Sequence, residues 1–278
     1  MAYRIMGVVN VTPDSFSDGG AFSDADAAVA HALRLAFEGA DLLDVGGEST
    51  RPGAAAVPAE EEAARVLPVI AGIRAADRRV RISVDTSKAV VAAAALDAGA
   101  DYVNDVTALR GDPDMAALVA DRGAGVCLMH MRGTPRTMQA EAVYDDVVED
   151  VKGFLAERIE AAVAAGIALE RIEVDPGIGF AKTIDHNLAL LQDLHALTAL
   201  GRPIVLGTSR KSFLGRITGR ETAERMPATL ATVVMGLERG AEVFRVHDVA
   251  PARDALAVAA ATLARRWPTP TTNTTTRT

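Results

Sequence analysis

Short apolar segments typical of buried strands recur eight times along the 278-residue chain, and amphipathic helical stretches separate them. The predicted strands cover about residues 3–9, 42–46, 80–85, 101–105, 126–130, 171–175, 203–207 and 243–247. The predicted helices cover about residues 24–38, 59–76, 88–98, 114–122, 144–165, 186–199, 222–239 and 251–265. Strands that alternate with helices form parallel sheets through crossover connections.

The length and continuity of this repeat favour a closed barrel. Four predicted helices end in Gly-Ala directly before a strand, and glycine is the usual left-handed cap of a helix. No GxGxxG follows the first strand, which argues against a doubly wound dinucleotide-binding sheet. We therefore predict one α/β domain, a (β/α)8 TIM barrel of residues 1–267, a size typical of that fold. The Thr-rich segment 268–278 is expected to be a disordered tail.

Composition excludes several classes of function. The net charge is −8 and the basic residues are scattered, so no basic stripe is available for nucleic acid. No apolar run approaches the roughly 18 residues of a membrane span, and no signal peptide precedes the first strand. The single cysteine, Cys127, lies inside an apolar run and is expected to be a core residue. These features predict a cytoplasmic protein that binds neither nucleic acid nor membrane.

Each predicted strand passes directly into polar residues at its carboxyl end. In a barrel these ends meet on one face, where catalytic groups collect. The polar residues at or just after the eight ends include Asn10, Asp44, Asp85, Asn104, His130, Asp175, Lys211 and Arg245. Loops are polar in general. Charged and amide side chains after all eight apolar runs nevertheless predict a functional site at this mouth.

The polar residues of the mouth form two chemical sets. Asp85, Asn104 and Asp175 offer acceptors and an amide, which suit a heterocycle rich in N–H donors. The cationic set, suited to phosphate oxygens, consists of Arg51, Lys211, Arg245 and His247. A flat polar heterocycle with an anionic group would satisfy both sets. The alternative is that Asp85 and Asp175 pair with Lys211 and Arg245 as a purely structural network.

The histidines do not indicate a zinc site, because none has HExxH or comparable spacing. His31, His186 and His195 lie on helical stretches and are expected to be ordinary surface or boundary residues. His130 is either a ligand contact or a strand-end residue with its own partner. Mg²⁺ bound mainly through a substrate phosphate remains open, with Asn10 as the best side-chain oxygen.

Eight segments together resemble the dihydropteroate synthases of folate synthesis. They are GVVNVTPDSFSDGG (7–20), DVGGESTRPG (44–53), SVDTSK (83–88), YVNDV (102–106), LMHMRGTPRTMQ (128–139), DPGIGFAKT (175–183), GTSRKSF (207–213) and FRVHD (244–248). They span the chain apart from the Thr-rich tail. One departure is VTALR (106–110), where a Ser-Gly pair is expected after Asn-Asp, so the shape of this loop does not carry over.

The resemblance implies condensation of (7,8-dihydropterin-6-yl)methyl diphosphate with 4-aminobenzoate, which gives 7,8-dihydropteroate and diphosphate. The implied pterin-binding residues are Asp85, Asn104, Val106, Met129, Asp175, Phe180, Gly207, Lys211 and Arg245. The implied diphosphate-binding residues are Asn10, Arg245 and His247, with Asn10 also a ligand of Mg²⁺. The implied aminobenzoate-binding residues are Phe16, Thr50, Arg51, Pro52, Phe180, Lys211 and Ser212.

The implied mechanism is a displacement with much carbocation character. Diphosphate leaves from a methylene group whose positive charge the dihydropterin ring delocalises, and the neutral aminobenzoate amine then attacks. The implied catalytic residues, none of them a covalent nucleophile, are Asp85, Asp175, Lys211, Arg245 and His247. The acids would stabilise the cation, while Mg²⁺ and the basic residues would stabilise the leaving group.

The segment NVTPDSFSDGG (10–20) is longer and more polar than most strand-to-helix loops. The resemblance suggests a lid in which Phe16 covers the aminobenzoate and Asp18 organises the loop or the cation. It also implies a homodimer and, because Phe16 and Pro52 are present, sensitivity to sulfonamides. Other functions remain open: a pterin-binding methyltransferase, a non-catalytic pterin-binding barrel, or a barrel enzyme that binds another phosphate.

Overall fold

A computed structural model describes residues 2–12, 21–51, 53–134 and 136–265. Phe16, Asp18 and Pro52, and the predicted tail 268–278, lie outside the described residues. The lid interpretation and the position of the domain end therefore stay predictions.

Eight parallel strands close into a barrel in chain order, which confirms the predicted (β/α)8 fold. The strands are β1 Arg4–Asn10, β2 Leu42–Gly46, β3 Arg81–Asp85, β4 Tyr102–Asp105, β5 Gly125–Met129, β6 Ile172–Asp175, β7 Ile204–Leu206 and β8 Ala241–Val246. The barrel closes where β1 pairs with β8, with Arg4 opposite Val243 and Gly7 opposite Val246. Every strand begins and ends within about two residues of its predicted range.

Helices surround the barrel between the strands. Those of the described residues are α1 Ala21–Phe37, α2 Ala59–Ala76, α3 Ala89–Asp97, α4 Met115–Arg122, α5 Val147–Ala164, α6 Ile184–Gln192, α7 Ser212–Thr218, α8 Met226–Glu238 and α9 Val249–Ala264. None of these helices is long and apolar enough to cross a membrane.

The helices differ from the predictions in three places. The predicted helix 222–239 is a 3-10 segment, Thr222–Glu224, followed by α8. The predicted helix 186–199 is α6 followed by a 3-10 segment, Leu194–Leu200, in which the buried Leu194 and Leu197 are three residues apart. That spacing matches the three residues per turn of a 3-10 helix. The short α7 after β7 was not predicted, because seven residues are fewer than the window in which a helical period can be recognised.

Side chains alternate between the inside of the barrel and the surrounding helices, as in any strand. One buried layer inside the barrel consists of Met6, Leu42, Tyr102, Cys127, Val205 and Val243. Cys127 is therefore a core residue, as predicted, and burial raises the pKa of its thiol well above the usual value. Two residues farther along their strands, the same alternation presents Asp44, Asn104, Met129, Gly207 and Arg245 at the carboxyl ends.

Candidate active site

Arg245 connects two carboxylates at the centre of the mouth. Its Nε donates to Asp44 Oδ2 at 2.6 Å, and its Nη2 donates to Asp85 Oδ2 at 2.8 Å. Asn104 Nδ2 donates to the same Asp44 oxygen at 3.0 Å. These contacts join the ends of β2, β3, β4 and β8, and Asp44 is fully buried beneath them. Part of the predicted structural network, the pair of Asp85 with Arg245, is thus present.

The electrostatics of this cluster leave Asp85 poorly compensated. Burial raises the pKa of Asp85 to about 7, even though the charge of Arg245 acts in the opposite direction. Asp44 and Glu62 also raise the pKa of Asp85, because they are negative charges in the same region. Arg245 keeps a pKa above its usual value, since Asp44 and Asp85 outweigh the effect of its burial. Asp85 is therefore a carboxylate that an additional donor or cation would stabilise.

Asp175, Lys211 and Arg245 converge around Gly207. A Cβ atom on Gly207 would lie 3.7 Å from Asp175 Oδ2, 3.9 Å from Lys211 Nζ and 4.0 Å from Arg245 Cβ. Burial raises the pKa of Asp175 and lowers the pKa of Lys211 to about 8, while each partly offsets the shift of the other. Gly207 thus leaves room beside the Asp175 carboxylate, the Lys211 ammonium and the base of the Arg245 side chain, where a flat ring could lie.

The loop after β6 places Phe180 beside Lys211. The Lys211 ammonium lies 4.7 Å from the centroid of the Phe180 ring and donates to the Ile178 carbonyl. Gly177 has φ 68°, and a Cβ there would lie 2.0 Å from the His130 carbonyl oxygen, so only glycine fits. The Gly177 N–H donates to Asp175 Oδ1 at 2.7 Å. This loop therefore orients both the carboxylate and the aromatic ring.

His130 has a partner inside the protein. Its Nδ1 lies 3.0 Å from Lys182 Nζ, which also donates to the Phe180 carbonyl at 2.9 Å. Burial lowers the pKa of Lys182 to about 7 and that of His130 to about 2, with the charge of Lys182 adding to the effect on His130. Of the two interpretations of His130, the structure favours the strand-end residue with its own partner, which supports the loop that carries Phe180.

Two neighbouring pairs of side chains join the loop after β7 to the loop after β8. His247 Nδ1 lies 2.9 Å from Ser209 Oγ, and Arg210 forms a bidentate ion pair with Asp248 at 2.6 and 3.0 Å. Burial, together with Arg245 and Arg210, lowers the pKa of His247 to about 4. His247 is therefore a neutral imidazole near pH 7.

The loop after β2 carries Thr50 and the exposed Arg51 at the rim of the mouth. Arg51 is close enough to His247 that its charge helps to lower the pKa of that histidine. Glu48 closes this loop, because its Oε1 accepts from the Val57 N–H at 2.8 Å and its Oε2 pairs with Lys88 at 2.6 Å. Ser212, the first residue of α7, is exposed beside Lys211.

The loop after β4, which departs from the resembling motifs, is held by Asp105. Its Oδ1 accepts from the Thr107 N–H at 2.8 Å and from the Thr107 hydroxyl at 2.7 Å, and its Oδ2 accepts from the Leu109 N–H at 2.9 Å. Ala108 and Leu109 both have positive φ. The buried Val106 packs with Met129 and Phe180 near the mouth. The loop thus presents an apolar wall despite its different sequence.

Comparison with known proteins identifies the family of the chain. The family model described as pterin binding enzyme matches residues 6–247. The chain belongs to this pterin-binding enzyme family. The match runs from β1 to the loop after β8, so it includes all eight strand ends of the mouth.

Individual members of the family are similar over nearly the whole chain. The dihydropteroate synthase of Neisseria meningitidis serogroup B is 48% identical over 92% of this chain and 91% of its own length. The enzyme of that name from Escherichia coli K12 is 44% identical over 95% of this chain and 93% of its own. Dihydropteroate synthase of Xanthomonas albilineans with 4-aminobenzoic acid has a TM-score of 0.89 and 52% identity, covering 95% of this chain and 94% of that one. The same protein in complex with 7,8-dihydropteroate has a TM-score of 0.86 and 49% identity, covering the same shares of the two chains.

Three residues of this pterin-binding enzyme escaped the sequence analysis: Asp44, Lys182 and Ser209. The sequence marks Asp44 only as the polar end of a strand, although its position two residues after the inward Leu42 indicates an inward side chain. Lys182 and Ser209 lie in the same motifs as Phe180 and Lys211, but their residue types alone indicate no role in the site. Nothing in the sequence identifies their partners His130 and His247, since those contacts exist only in the folded chain.

The residues fit a magnesium ion that arrives with a diphosphate. Asn10 ends β1 with a partly exposed side chain at the mouth. Across the ranges that the structure describes, no three His, Cys, Asp or Glu side chains come together as metal ligands. Mg²⁺ needs no such cage, because it retains several waters and takes oxygens from substrate phosphates. The Asn10 amide oxygen is a metal ligand of the type that Mg²⁺ prefers.

Proposed function

We propose that this pterin-binding enzyme condenses (7,8-dihydropterin-6-yl)methyl diphosphate with 4-aminobenzoate to give 7,8-dihydropteroate and diphosphate. One observation carries the proposal: Asp85, Asn104 and Asp175 lie at the ends of three barrel strands, and Lys211 and Arg245 meet Asp175 around Gly207. The relatives named dihydropteroate synthase match nearly the whole chain and support the same reaction.

The acids and the amide would bind the edge of the pterin ring. Ring N–H and amino groups donate to carboxylates, and Asp85 and Asp175 are buried carboxylates with raised pKa values. Hydrogen bonds to the charged form lower the pKa of an acid, so a bound pterin would relieve part of the cost of burying them. Val106, Met129 and Phe180 supply apolar surface beside the ring.

The same acids would promote loss of diphosphate. As the bond to the leaving group lengthens, positive charge spreads over the dihydropterin ring. Asp85 and Asp175 are already placed, and burial strengthens their field because little water screens it. They interact more strongly with the developing cation than with the neutral ring, which lowers the barrier. Neither acid needs to form a covalent bond.

The cations would bind the departing diphosphate. The Arg245 guanidinium has five N–H donors, and its two bonds to Asp44 and Asp85 use two of them. His247 lies two residues beyond Arg245 and would contribute a neutral donor. Asn10 would hold Mg²⁺, which when bound supplies positive charge to the diphosphate oxygens.

The second substrate would lie at the rim. Arg51, with Thr50 next to it in the sequence and Ser212 at the start of α7, would bind the carboxylate of 4-aminobenzoate, and Lys211 with Phe180 would form the boundary between the two substrates. The aromatic amine is neutral near pH 7, so it attacks without a strong general base. Phe16, Asp18 and Pro52 lie outside the described residues, and their roles as lid and rim residues remain predictions.

The expected homodimer has a suitable surface on the outside of the barrel. Helices α8 and α9 flank an apolar groove of about 740 Å³, whose lining includes Leu230, Val234, Val258 and Leu263. Val258 is 69% exposed there. A second copy of the chain would cover this surface, and Val258→Asp should then shift the sedimentation coefficient to that of a monomer. The cytoplasmic location stays a prediction from the sequence.

Mass spectrometry of the reaction mixture tests the function. Purified protein with both substrates and Mg²⁺ should form 7,8-dihydropteroate together with an equal amount of diphosphate. Lys211→Ala should reduce the rate sharply, whereas Lys152→Ala, a partly exposed lysine of α5 paired with Glu149, should not. Binding of the pterin without any product would favour a non-catalytic barrel. Methyl transfer to another acceptor would favour the methyltransferase alternative.

A further inference from the structure

The Ser209 hydroxyl makes two contacts with one residue. Its Oγ lies 3.1 Å from the His247 backbone nitrogen and 2.9 Å from His247 Nδ1. Ser209 is 8% exposed, so water has little access to compete for these bonds. The two contacts attach both the backbone and the ring of His247 to the loop after β7.

One of these two contacts has a fixed direction. A backbone N–H can only donate, so Ser209 Oγ accepts from the His247 backbone. The single hydrogen of the Ser209 hydroxyl is then free to point at Nδ1. In a neutral imidazole one nitrogen carries the hydrogen and the other accepts. If Nδ1 accepts from Ser209, the hydrogen of the ring lies on Nε2.

The charges around His247 keep its ring neutral. Arg245, Arg210 and Arg51 all lower the pKa of His247, and Asp248 acts in the opposite direction with a smaller effect than the first two arginines. Asp248 is already engaged by Arg210 through two hydrogen bonds. The imidazolium is therefore unfavourable near pH 7, so the ring of His247 is neutral and carries a single N–H hydrogen.

We propose that Ser209 is a positioning residue that holds His247 as a neutral Nε2–H donor directed at the leaving diphosphate. The proposal rests on the proposed function for the identity of the anion. The opposite tautomer would present a lone pair to negatively charged oxygens and would weaken diphosphate binding. In the proposed arrangement His247 donates a hydrogen bond and transfers no proton, so the diphosphate leaves with the electron pair of the broken C–O bond and one additional negative charge.

The neighbouring pair stabilises this arrangement. Arg210 adopts φ 57°, a left-handed conformation that is unfavourable for residues other than glycine. Its N–H donates to Thr229 Oγ1 at 3.0 Å, and its side chain is held by Asp248, the residue after His247. These bonds hold the two loops at a fixed separation. The contact between Ser209 and His247 is therefore already formed before a substrate binds.

Nitrogen NMR of the substrate-free protein tests the tautomer directly. With ¹⁵N-labelled histidine, the wild-type His247 should show the Nε2–H tautomer at pH 7, and His247→Gln identifies its resonances among those of the five histidines. Ser209→Ala should give a mixture of tautomers or the Nδ1–H form, whereas Ser209→Thr keeps the hydroxyl and should restore the wild-type pattern. An unchanged tautomer in Ser209→Ala would overturn the proposal.

Kinetics test the consequence. Ser209→Ala should lower kcat/KM for the pterin diphosphate by about tenfold, the effect of one hydrogen bond, and leave the KM for 4-aminobenzoate unchanged. Ser209→Thr should recover most of the loss. Equal losses for both substrates would contradict the positioning role. If the wild type formed no dihydropteroate at all, the proposed function would fail, while the tautomer experiment would still be decided.

Discussion

Two acids on the same strand, Glu173 and Asp175, are almost equally buried but have different surroundings. Glu173, 6% exposed, lies deeper in the barrel, where Arg4 Nη1 is 2.7 Å from one oxygen and the Tyr102 hydroxyl donates to the other at 2.9 Å. Asp175, 7% exposed, lies at the mouth, where a backbone N–H donates to it and Lys211 is directed at the Ile178 carbonyl. Side chains of the protein itself therefore supply a direct partner for each of the two carboxylate oxygens of Glu173.

The difference shows how the barrel separates stability from binding. Deep in the barrel, an arginine and a tyrosine bind the carboxylate of Glu173 and stabilise its charge. At the mouth, burial raises the pKa values of Asp85 and Asp175 and lowers that of Lys211, so these groups are held in states that the protein does not fully stabilise. Groups with such shifted pKa values are common at functional sites, where a bound ligand supplies the missing charge or hydrogen bonds. The comparison therefore predicts opposite effects of mutation at the two positions.

The substitution Asp175→Asn is expected to have the largest effect, and this effect is on catalysis. The amide keeps the shape and can still accept from Gly177, but it lacks the charge that would stabilise the cation. We expect kcat/KM to fall by about 10²–10³-fold, as for the loss of one strong electrostatic contact in a transition state. Urea unfolding should show equal or greater stability, because an uncompensated buried charge is gone. A marked loss of stability would mean that Asp175 is a structural residue like Glu173.

The pH dependence of stability should reveal Asp85. Its pKa of about 7 lies above the value of an unfolded chain, so the folded protein binds a proton between about pH 4 and 7 that the unfolded chain releases. The free energy of unfolding of the wild type, relative to Asp85→Asn, should therefore decrease as the pH rises through this range, by up to roughly 4 kcal/mol.

Urea titrations of both proteins at several pH values measure this difference, and the buried histidines contribute equally to both curves. Parallel curves would show that Asp85 has the pKa of an ordinary carboxylate.

Glu173→Gln should destabilise the barrel and leave catalysis nearly intact. The change removes the ion pair with the partly exposed Arg4 and weakens the bond from Tyr102. We expect a loss of about 1.5–3 kcal/mol in the free energy of unfolding, typical for hydrogen bonds to a charged group. kcat/KM of the folded variant should stay within about twofold of the wild type. A catalytic loss without destabilisation would remove the distinction between the two positions.

Asp44→Asn, which alters the support of the mouth, is expected to have a smaller effect on catalysis than Asp175→Asn. Asp44 holds both Arg245 and Asn104 through one oxygen, so the variant should misplace two residues expected to bind substrate. We expect kcat/KM for the pterin diphosphate to fall about tenfold, since Arg245 would then donate to a neutral amide and the bond from Asn104 would lose its charged acceptor. Steady-state kinetics measure it, and a wild-type value would show that Arg245 needs only Asp85.

The sequence predicted the barrel and its mouth because both depend on local patterns. Apolar runs of strand length located every strand, and the rule that strand ends meet on one face brought Asp85, Asn104, Asp175 and Arg245 together. The partners of these residues could not be predicted in this way. Asp44 supports Arg245 across 201 positions of sequence, and Lys182 meets His130 only because two loops fold against each other. Likewise, no local pattern shows that Glu173 has side-chain partners on both of its oxygens whereas Asp175 does not.

A single ratio tests the central claim that the mouth, and not the buried barrel as a whole, carries the chemistry. Dihydropteroate formation is measured for folded Glu173→Gln and folded Asp175→Asn in the same assay. We predict that kcat/KM for the Glu173 variant exceeds that for the Asp175 variant by about 100-fold or more. Similar values for the two variants would contradict the claim.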